Sequence, residues 1–226
     1  MNKLIIIIIL IFSSITSCFS QSYMELYPKE CYYAKDFYVQ HQTLFETAAQ
    51  KTGLPAKFLF AIVAPELTQY SFLSNKIETY SLKVMYVQFG KGYSDFSIGY
   101  FQMKPSFIEA LENTVTADKE LKLSFHDCLF SEPDSQQARV ERIDRLNTVE
   151  WQIKYLTLFC VVVNQRFSNV TFANENEKLQ FYASAYNCGF YKTESKIKET
   201  GDKYSFPHFF QKFKYSDVAI EFYNLL

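Results

Sequence analysis

One carboxylate, Glu66, follows a long apolar stretch and is well placed in the sequence for acid–base chemistry. The apolar residues before it recur at helical spacing, and Gly53-Leu54-Pro55 supplies a stop for the preceding segment and a proline near the start of a new helix. A carboxyl group that is partly desolvated at the end of a buried helix has a raised pKa, which suits a general acid. The alternative is that Glu66 is simply the first solvated residue after a buried segment.

Pro65, directly before this glutamate, predicts a disturbance of the same helix. A proline inside a helix removes a backbone donor and crowds the carbonyl group four residues back. We therefore expect the helix to begin near Pro55 and to kink or end at Ala64-Pro65-Glu66.

Two other stretches place polar side chains among aromatic or small residues. The first runs from Ser97 to Phe107 and sets Gln102 among apolar and aromatic neighbours, company that suits a buried or cleft-facing amide. The second, Tyr186-Asn187-Cys188-Gly189, ends a helix predicted over Asn174 to Cys188. Helix ends carry backbone groups without intrahelical partners, and such ends often reach a cleft.

The remaining chain predicts more helices and almost no strands. Amphipathic or apolar segments predict helices over Ala34–Thr52, Ser106–Asn113, Val149–Phe167 and from about Ser216 onward. Tyr23 to Tyr33 and Val115 to Arg139 are expected to be irregular. The segment from Ile77 to Phe89 allows a helix, and Val84 to Phe89 allows a short strand. The predicted fold class is mostly α, with Gly53 as a left-handed helix cap.

The amino terminus has the charged start and apolar core of a secretory signal, Met1-Asn2-Lys3 followed by Leu4 to Phe12. Ile15-Thr16-Ser17-Cys18 resembles a lipoprotein box, and Cys18-Phe19-Ser20 resembles an ordinary signal-peptidase site. The first site predicts a lipid on Cys18 and the second a soluble protein. Both predict export to the cell envelope, with residues 1–20 as the signal and residues 21–226 as one globular domain.

Composition narrows the classes of partner. The net charge is −1 and the pI is about 6.3. These values argue against a protein that binds nucleic acid or a strongly charged membrane surface. The chain has 17 Tyr and 23 Phe against one Trp. Such rings suit a thick core, and they also suit a groove that stacks on sugar faces.

Four cysteines remain after either cleavage, Cys31, Cys128, Cys160 and Cys188. An even number in an oxidising compartment allows two disulfides in any of three pairings, and buried free thiols are the alternative. The three histidines are scattered without the spacing of a metal site. We expect no metal and no cofactor.

Three features in a definite order resemble the lysozyme-like lytic transglycosylase family, which is related to goose-type lysozymes. They are the helix ending in Glu66, then Gly99-Tyr100-Phe101-Gln102-Met103-Lys104-Pro105, then Ala185-Tyr186-Asn187-Cys188-Gly189. Thr52-Gly53-Leu54-Pro55 and the closing segment Ser216–Tyr223 also look like parts of this family. The resemblance covers roughly Ala34 to Leu226.

The resemblance implies a lysozyme-like domain whose cleft binds peptidoglycan glycan strands. Glu66 would be the single catalytic acid and base, and the cleaved bond would join N-acetylmuramic acid to N-acetylglucosamine, with a 1,6-anhydro product. The residues implied to bind substrate are Ser97, Phe101, Gln102, Tyr186 and Asn187. Tyr186 would also orient Glu66 or stabilise the reacting sugar. For Phe101, Gln102 and Tyr186 plain core packing is the alternative.

Other functions remain open at this point. A hydrolytic muramidase would need a second carboxylate to activate water, for which Asp95 and Glu78 are candidates. A role for Asp95 in capping a turn competes with that assignment. Departures from the family pattern, Leu67 where a serine is usual and Pro65 just before the glutamate, slightly favour a non-catalytic glycan-binding envelope protein. The retention of Glu66, Gln102 and Tyr186-Asn187 together argues against it. A disulfide-rich structural domain without a groove is a third possibility.

Overall fold

The structure is a computed structural model, and it describes residues 22–70, 76–208 and 211–226, without the side chains of residues 76–80. The predicted signal, both cleavage sites and Cys18 lie outside the described residues. The elements in chain order are α1 Tyr23–Leu26, α2 Pro28–Gln40, α3 Gln42–Thr52, α4 Ala56–Tyr70, α5 Lys76–Phe89, α6 Pro105–Ala117, α7 Lys119–Phe125, a 3-10 turn His126–Cys128, α8 Gln136–Leu146, α9 Val149–Arg166, α10 Glu175–Cys188, α11 Glu194–Gly201, β1 Tyr204–His208, β2 Gln211–Lys214 and α12 Tyr215–Leu225. The mostly α prediction is confirmed.

The helix α4, which carries Glu66, lies at the centre of the fold. Every residue from Phe58 to Pro65 is buried, and so are Leu67 and Thr68. α4 packs against α2, α3, α10 and α12. A helix that is apolar on all sides needs such neighbours on every face, which explains why this stretch organises the surrounding helices.

The helix α4 does not end at Pro65, and the expected early end is wrong. It runs without interruption from Ala56 to Tyr70, so Glu66 lies one turn inside the helix. Side chains bond backbone groups on both sides of the proline: the Tyr215 hydroxyl donates to the Ile62 carbonyl oxygen at 2.9 Å, and the Thr68 hydroxyl donates to the Pro65 carbonyl oxygen at 2.6 Å. The missing Pro65 N–H leaves the Ala61 carbonyl oxygen without its helical donor, and the packing of α2, α3, α10 and α12 around α4 holds the helix together across this position.

The amino-terminal part of the domain is more regular than predicted. Tyr23 to Tyr33 forms α1 and the first part of α2, and the single helix expected over Ala34 to Thr52 is two helices that meet at His41. Pro28 takes the first position of α2, where its missing N–H costs nothing. Gly53 has φ of 69° and ends α3, as predicted.

The segments predicted to be irregular or extended also differ. Val115 to Arg139 contains the end of α6, all of α7 and the start of α8. The segment Val84 to Phe89 belongs to the helix α5 rather than to a strand. The strands of the described chain form one antiparallel hairpin, β1 with β2, which sequence analysis missed because its residues lack a clean two-residue alternation.

A buried chain of hydrogen bonds joins this hairpin to the turn that carries Glu66. The Tyr23 hydroxyl lies 2.9 Å from Nδ1 of His208 and 2.6 Å from the Thr68 hydroxyl, which donates to the Pro65 carbonyl oxygen. The Glu221 carboxylate accepts from the backbone N–H groups of Tyr23 and Met24. α1, α12 and the hairpin are thereby fixed to the end of α4.

A buried ion pair between Arg142 and Glu112 connects helices away from Glu66. Arg142, which is 1% exposed, donates from Nε and Nη2 to the Glu112 carboxylate, and from Nη1 to the Tyr86 hydroxyl. Each partner lies on a different helix, since Tyr86 is on α5, Glu112 on α6 and Arg142 on α8. Removing one member would leave an uncompensated buried charge, which typically costs about 3–5 kcal/mol.

The four cysteines of the described residues are free thiols, so of the two possibilities left open by the sequence, two disulfides or unpaired thiols, the structure has unpaired thiols. Cys31, Cys128 and Cys160 are buried, and Cys188 is partly exposed. Burial raises the pKa of Cys31 and of Cys128 to about 12. Within the described residues, no helix combines the length and the apolar character needed to cross a membrane.

Candidate active site

Glu66 interrupts the fully buried surface of α4 and reaches solvent. Its neighbours Pro65, Leu67 and Thr68 are buried, whereas Glu66 is partly exposed. Protein atoms nevertheless surround the carboxyl group closely, and this desolvation raises its pKa to about 8. Among the described residues, no cation lies within ion-pair distance of it. A carboxyl group in this state carries its proton at neutral pH.

Tyr215, the first residue of α12, is the hydrogen-bond partner of the Glu66 carboxyl group. This bond lowers the Glu66 pKa, and the positive charge of Lys104 lowers it further, but both effects are smaller than the desolvation. Tyr215 has one hydroxyl hydrogen and also donates to the Ile62 carbonyl oxygen. When the Tyr215 hydroxyl donates to the Ile62 carbonyl oxygen, its own oxygen can still accept a hydrogen bond from a protonated Glu66. An ionised Glu66 instead competes with the Ile62 carbonyl oxygen for the hydroxyl hydrogen of Tyr215.

Tyr186 supplies a second phenol near Glu66. Its pKa is raised well above the usual value by burial and then by the negative charge of Glu66. Its hydroxyl donates a 2.6 Å hydrogen bond to the Phe101 carbonyl oxygen, which uses its single hydrogen. The Tyr186 hydroxyl therefore has no hydrogen left to donate to Glu66.

A tight turn over Gly99–Gln102 contains the Phe101 carbonyl oxygen that accepts from Tyr186. Backbone hydrogen bonds between Ile98 and Met103 close the turn, and both Gly99 (φ 73°) and Gln102 (φ 49°) have left-handed backbone conformations. A side chain at Gly99 would collide with the Gln152 amide and the Leu146 carbonyl oxygen. Only glycine fits this position, because it needs both the positive φ and the close approach.

Gln152 of α9 holds the turn from behind. Its side chain is completely buried, its Oε1 accepts from the Phe101 backbone N–H at 2.7 Å, and its Nε2 donates to the Leu146 carbonyl oxygen at 2.7 Å. The backbone of Phe101 is thus bonded on both sides, by Gln152 and by Tyr186. The turn is fixed relative to α9 and α10, and through α10 relative to Glu66.

The side chain of Phe101 points into the core, and the expectation that it packs against a sugar ring is wrong. Phe101 is 0% exposed, and its ring packs against those of Phe37 and Phe45, with centroids 5.9 and 6.2 Å away. The turn therefore contributes its backbone and its other side chains to the surface. The alternative of core packing is correct for this residue.

Of the other residues predicted to bind substrate, three are at least partly exposed and Tyr186 is buried. Ser97 and Gln102 are partly exposed, and Nε2 of Gln102 donates to the Gly99 carbonyl oxygen at 2.7 Å within the turn. Asn187 is exposed near the end of α10, one residue beyond Tyr186. Tyr186 itself is 8% exposed, so it lines the site from within rather than from the surface.

Asp95 has a structural role at the start of α6. Its two carboxylate oxygens accept from the backbone N–H of Ser106 at 3.1 Å and from the Ser106 hydroxyl at 2.7 Å. This satisfies an unpaired donor in the first turn of the helix, which agrees with the capping alternative. The side chain of Glu78, the other candidate for a second carboxylate, lies outside the described side chains.

Sequence analysis missed Tyr215 and Gln152 as site residues. Tyr215 directly precedes the Ser216–Tyr223 segment that was singled out, but 149 residues separate it from Glu66, so its contact is a consequence of tertiary structure. Gln152 reads in the sequence as a polar residue within an apolar helix, Val149–Arg166. A buried amide in such a helix needs partners, and that requirement was the available signal.

A separate cavity of about 380 Å³ lies between the end of α9 and the start of α10. Val163, Phe172, Lys178 and Tyr182 contribute to its lining, and none of Glu66, Tyr186 and Tyr215 does. The chemistry described above does not use this cavity.

Comparisons of the chain with protein-family models, with curated proteins and with solved structures gave no match.

Proposed function

We propose that this protein is a peptidoglycan lytic transglycosylase with a lysozyme-like fold and that Glu66 is its only catalytic acid and base. The observation that carries the proposal is the state of Glu66: a partly exposed carboxyl group on a buried helix, with a pKa of about 8 and a tyrosine hydroxyl as its partner. The ordered sequence motifs around Gln102 and Tyr186 name the substrate class, the glycan strands of peptidoglycan.

In the first step Glu66 acts as an acid. Its carboxyl group is protonated at neutral pH and donates the proton to the glycosidic oxygen between N-acetylmuramic acid and N-acetylglucosamine. The bond from C1 of the muramic acid to that oxygen breaks, and positive charge develops at C1. The new carboxylate is then stabilised by the Tyr215 hydroxyl, whose hydrogen turns from Ile62 towards Glu66.

In the second step the Glu66 carboxylate acts as a base. It takes the proton from the C6 hydroxyl of the muramic acid, and the C6 oxygen attacks C1 and closes the 1,6-anhydro ring. The glutamate is protonated again and no water is consumed. One carboxyl group is sufficient, because the nucleophile belongs to the substrate.

The bonding of Asp95 favours this reaction over hydrolysis of the same linkage. An inverting hydrolase needs a second carboxylate to activate water, about 6.5–9.5 Å from the acid. Both carboxylate oxygens of Asp95 already accept from Ser106. Asp95 is thereby held at the start of α6, while the side chain of Glu78, the other candidate, lies outside the described side chains.

The experiment is mass spectrometry of the soluble products formed from peptidoglycan sacculi by the mature protein, a Glu66→Gln variant and a Glu132→Gln control on the exposed surface. We expect anhydro-muropeptides from the wild type and the control, and at least about a 100-fold lower yield from Glu66→Gln. Products with reducing ends, one water heavier, would instead identify a hydrolytic muramidase. No release by any of the three proteins would refute both enzymatic functions.

A further inference from the structure

Three tyrosines, Tyr33, Tyr70 and Tyr100, form an aromatic surface that we call the tyrosine wall. They come from α2, from the last residue of α4 and from the Gly99–Gln102 turn. The Tyr70 and Tyr100 rings lie 4.6 Å apart at an interplanar angle of 34°. The pKa of Tyr33 is raised by burial and then by the hydroxyl groups of Tyr100 and Tyr70, which agrees with the three side chains meeting at one place.

The tyrosine wall is backed by the core and open to solvent. The ring of Phe37, which is 5% exposed, lies 4.9 Å from that of Tyr100 and supports it from behind. Tyr33 is 40% exposed, and Tyr70 and Tyr100 are partly exposed. Packing against a buried ring limits the movement of the wall, so its exposed faces and hydroxyl groups are already arranged before any ligand binds.

The position of the wall relative to Glu66 follows from helix geometry. Tyr70 lies four residues after Glu66 in the continuous helix α4, so the two side chains share a face and are separated by about 6 Å along the axis. Tyr100 precedes Phe101, whose carbonyl oxygen binds Tyr186. The wall therefore begins about one sugar ring away from the carboxyl group.

From this arrangement we propose that the tyrosine wall is a saccharide subsite, in which the rings stack on the apolar face of the hexosamine next to the one that reacts at Glu66. The inference rests on the proposed function and extends it by naming the residues that hold the neighbouring sugar. Tyrosine suits this task, because its ring covers the C–H face of a pyranose while its hydroxyl reaches the polar groups at the sugar's edge. The wall itself carries no charged side chain, which fits a neutral N-acetylated sugar.

The test is binding of an N-acetylglucosamine hexamer, measured by isothermal titration calorimetry in a Glu66→Gln background that cannot turn it over. A Tyr70→Leu/Tyr100→Leu pair removes both rings and keeps apolar bulk, whereas a Tyr70→Phe/Tyr100→Phe pair keeps the rings. We expect the leucine pair to weaken binding on the order of tenfold, which corresponds to about 1.4 kcal/mol. The phenylalanine pair should weaken it by less than about threefold.

Two single variants complete the design. Tyr32→Leu is the matched control, because Tyr32 neighbours Tyr33 in sequence and is 68% exposed. Tyr33→Leu is the second test of the wall and remains informative if the leucine pair does not fold, as judged by circular dichroism. We expect weaker hexamer binding for Tyr33→Leu and unchanged binding for Tyr32→Leu.

The outcomes separate this inference from the proposed function. Unchanged binding by the folded leucine variants would overturn the subsite, as would absence of hexamer binding in the Glu66→Gln background. If wild-type protein releases nothing from sacculi but hexamer binding still depends on the rings, the enzymatic proposal fails and the subsite stands. If sacculi are cleaved and the leucine substitutions, made in the protein that keeps Glu66, leave KM unchanged, the subsite fails and the enzyme stands.

Discussion

The hydroxyl group of Tyr186 donates a 2.6 Å hydrogen bond to the carbonyl oxygen of Phe101, 85 residues earlier in the chain. This bond joins the two polar segments that stand out in the sequence, the Gly99–Gln102 turn and the end of α10. It also settles what Tyr186 can do, because its hydrogen is held by the backbone. The site near Glu66 is thus built from a fixed turn and two phenol oxygens, and its acid–base behaviour should follow from them.

Removing the Tyr215 hydroxyl should move the pH profile of the proposed reaction. Its hydrogen bond lowers the Glu66 pKa, so Tyr215→Phe should raise that pKa. Because the first step needs the protonated acid, the alkaline limb of kcat/KM should move to higher pH. The second step needs a carboxylate that Tyr215 stabilises, so kcat should fall by about tenfold or more. Anhydro-product release measured from pH 5 to 10 checks both expectations.

Tyr223→Phe is the matched control for this experiment. Tyr223 lies on the same helix α12 and also bonds a carboxylate, since its hydroxyl donates to Glu175 at 2.5 Å. Removal of the Tyr223 hydroxyl group should leave the pH profile unchanged. Equal shifts in the two variants would assign the effect to a general disturbance of α12 and would contradict the role given to Tyr215.

Glu66 should reduce the stability of the folded protein as pH rises from about 4.5 to 8. The carboxyl group has a usual pKa of 4.5 when unfolded and about 8 when folded. Below pH 4.5 it is protonated in both states, and between these values only the folded state keeps the proton, so unfolding becomes more favourable with rising pH. A Glu66→Gln variant lacks this penalty and should be more stable than the wild type above pH 8.

Thermal unfolding of both proteins at pH 4.5 and pH 8.5 measures the difference. We expect the two melting temperatures to lie closer at the lower pH, and Glu66→Gln to melt several degrees higher at the upper pH, at about 2–4 °C per kcal/mol for a domain of this size. The Glu132→Gln control should have the same melting temperature as the wild type at both pH values. A melting temperature for Glu66→Gln that does not rise relative to wild type with pH would contradict the raised pKa.

Gly99 should not tolerate a side chain. In Gly99→Ala the new methyl group would collide with Gln152 and Leu146, and the residue would have to keep a φ of 73°. We expect a loss of about 2–4 kcal/mol in the free energy of unfolding, together with reduced activity as the turn moves away from Tyr186. Urea denaturation measures the first effect.

Gly92→Ala is the paired control, because no atom lies within 4 Å of a methyl group placed there and the residue has no positive φ. Its unfolding free energy should change by less than about 0.5 kcal/mol or increase slightly. A Gly99→Ala protein as stable as this control would show that the turn differs from the one described.

The cysteines should react as buried thiols. In the native protein an alkylating reagent should modify Cys188 first, because the other three are buried and their thiolates are disfavoured by desolvation. After unfolding without reductant all four should be modified. Peptide mapping by mass spectrometry identifies each site, and a cystine-linked peptide from purified, air-exposed protein would contradict the prediction.

The sequence was sufficient where local rules decide structure. Helical spacing located α4, α9 and α10, and the need for a left-handed residue located the cap at Gly53. It failed where packing overrides a local rule: Pro65 predicts a kink or an early end of the helix, but α4, packed against its neighbours, continues to Tyr70. The short hairpin of β1 and β2 was also missed, because its apolar and polar residues do not alternate regularly.

For the site, the sequence by itself determined which groups are present: one carboxylate in an apolar stretch, a polar turn and a tyrosine at a helix end. Only the tertiary structure decided what each group does. It placed Tyr215 on Glu66, used the hydrogen of Tyr186 on Phe101, and turned the Phe101 ring into the core. The physical reason is that a pKa and a hydrogen bond depend on distances between residues far apart in the chain, and those distances are set by packing.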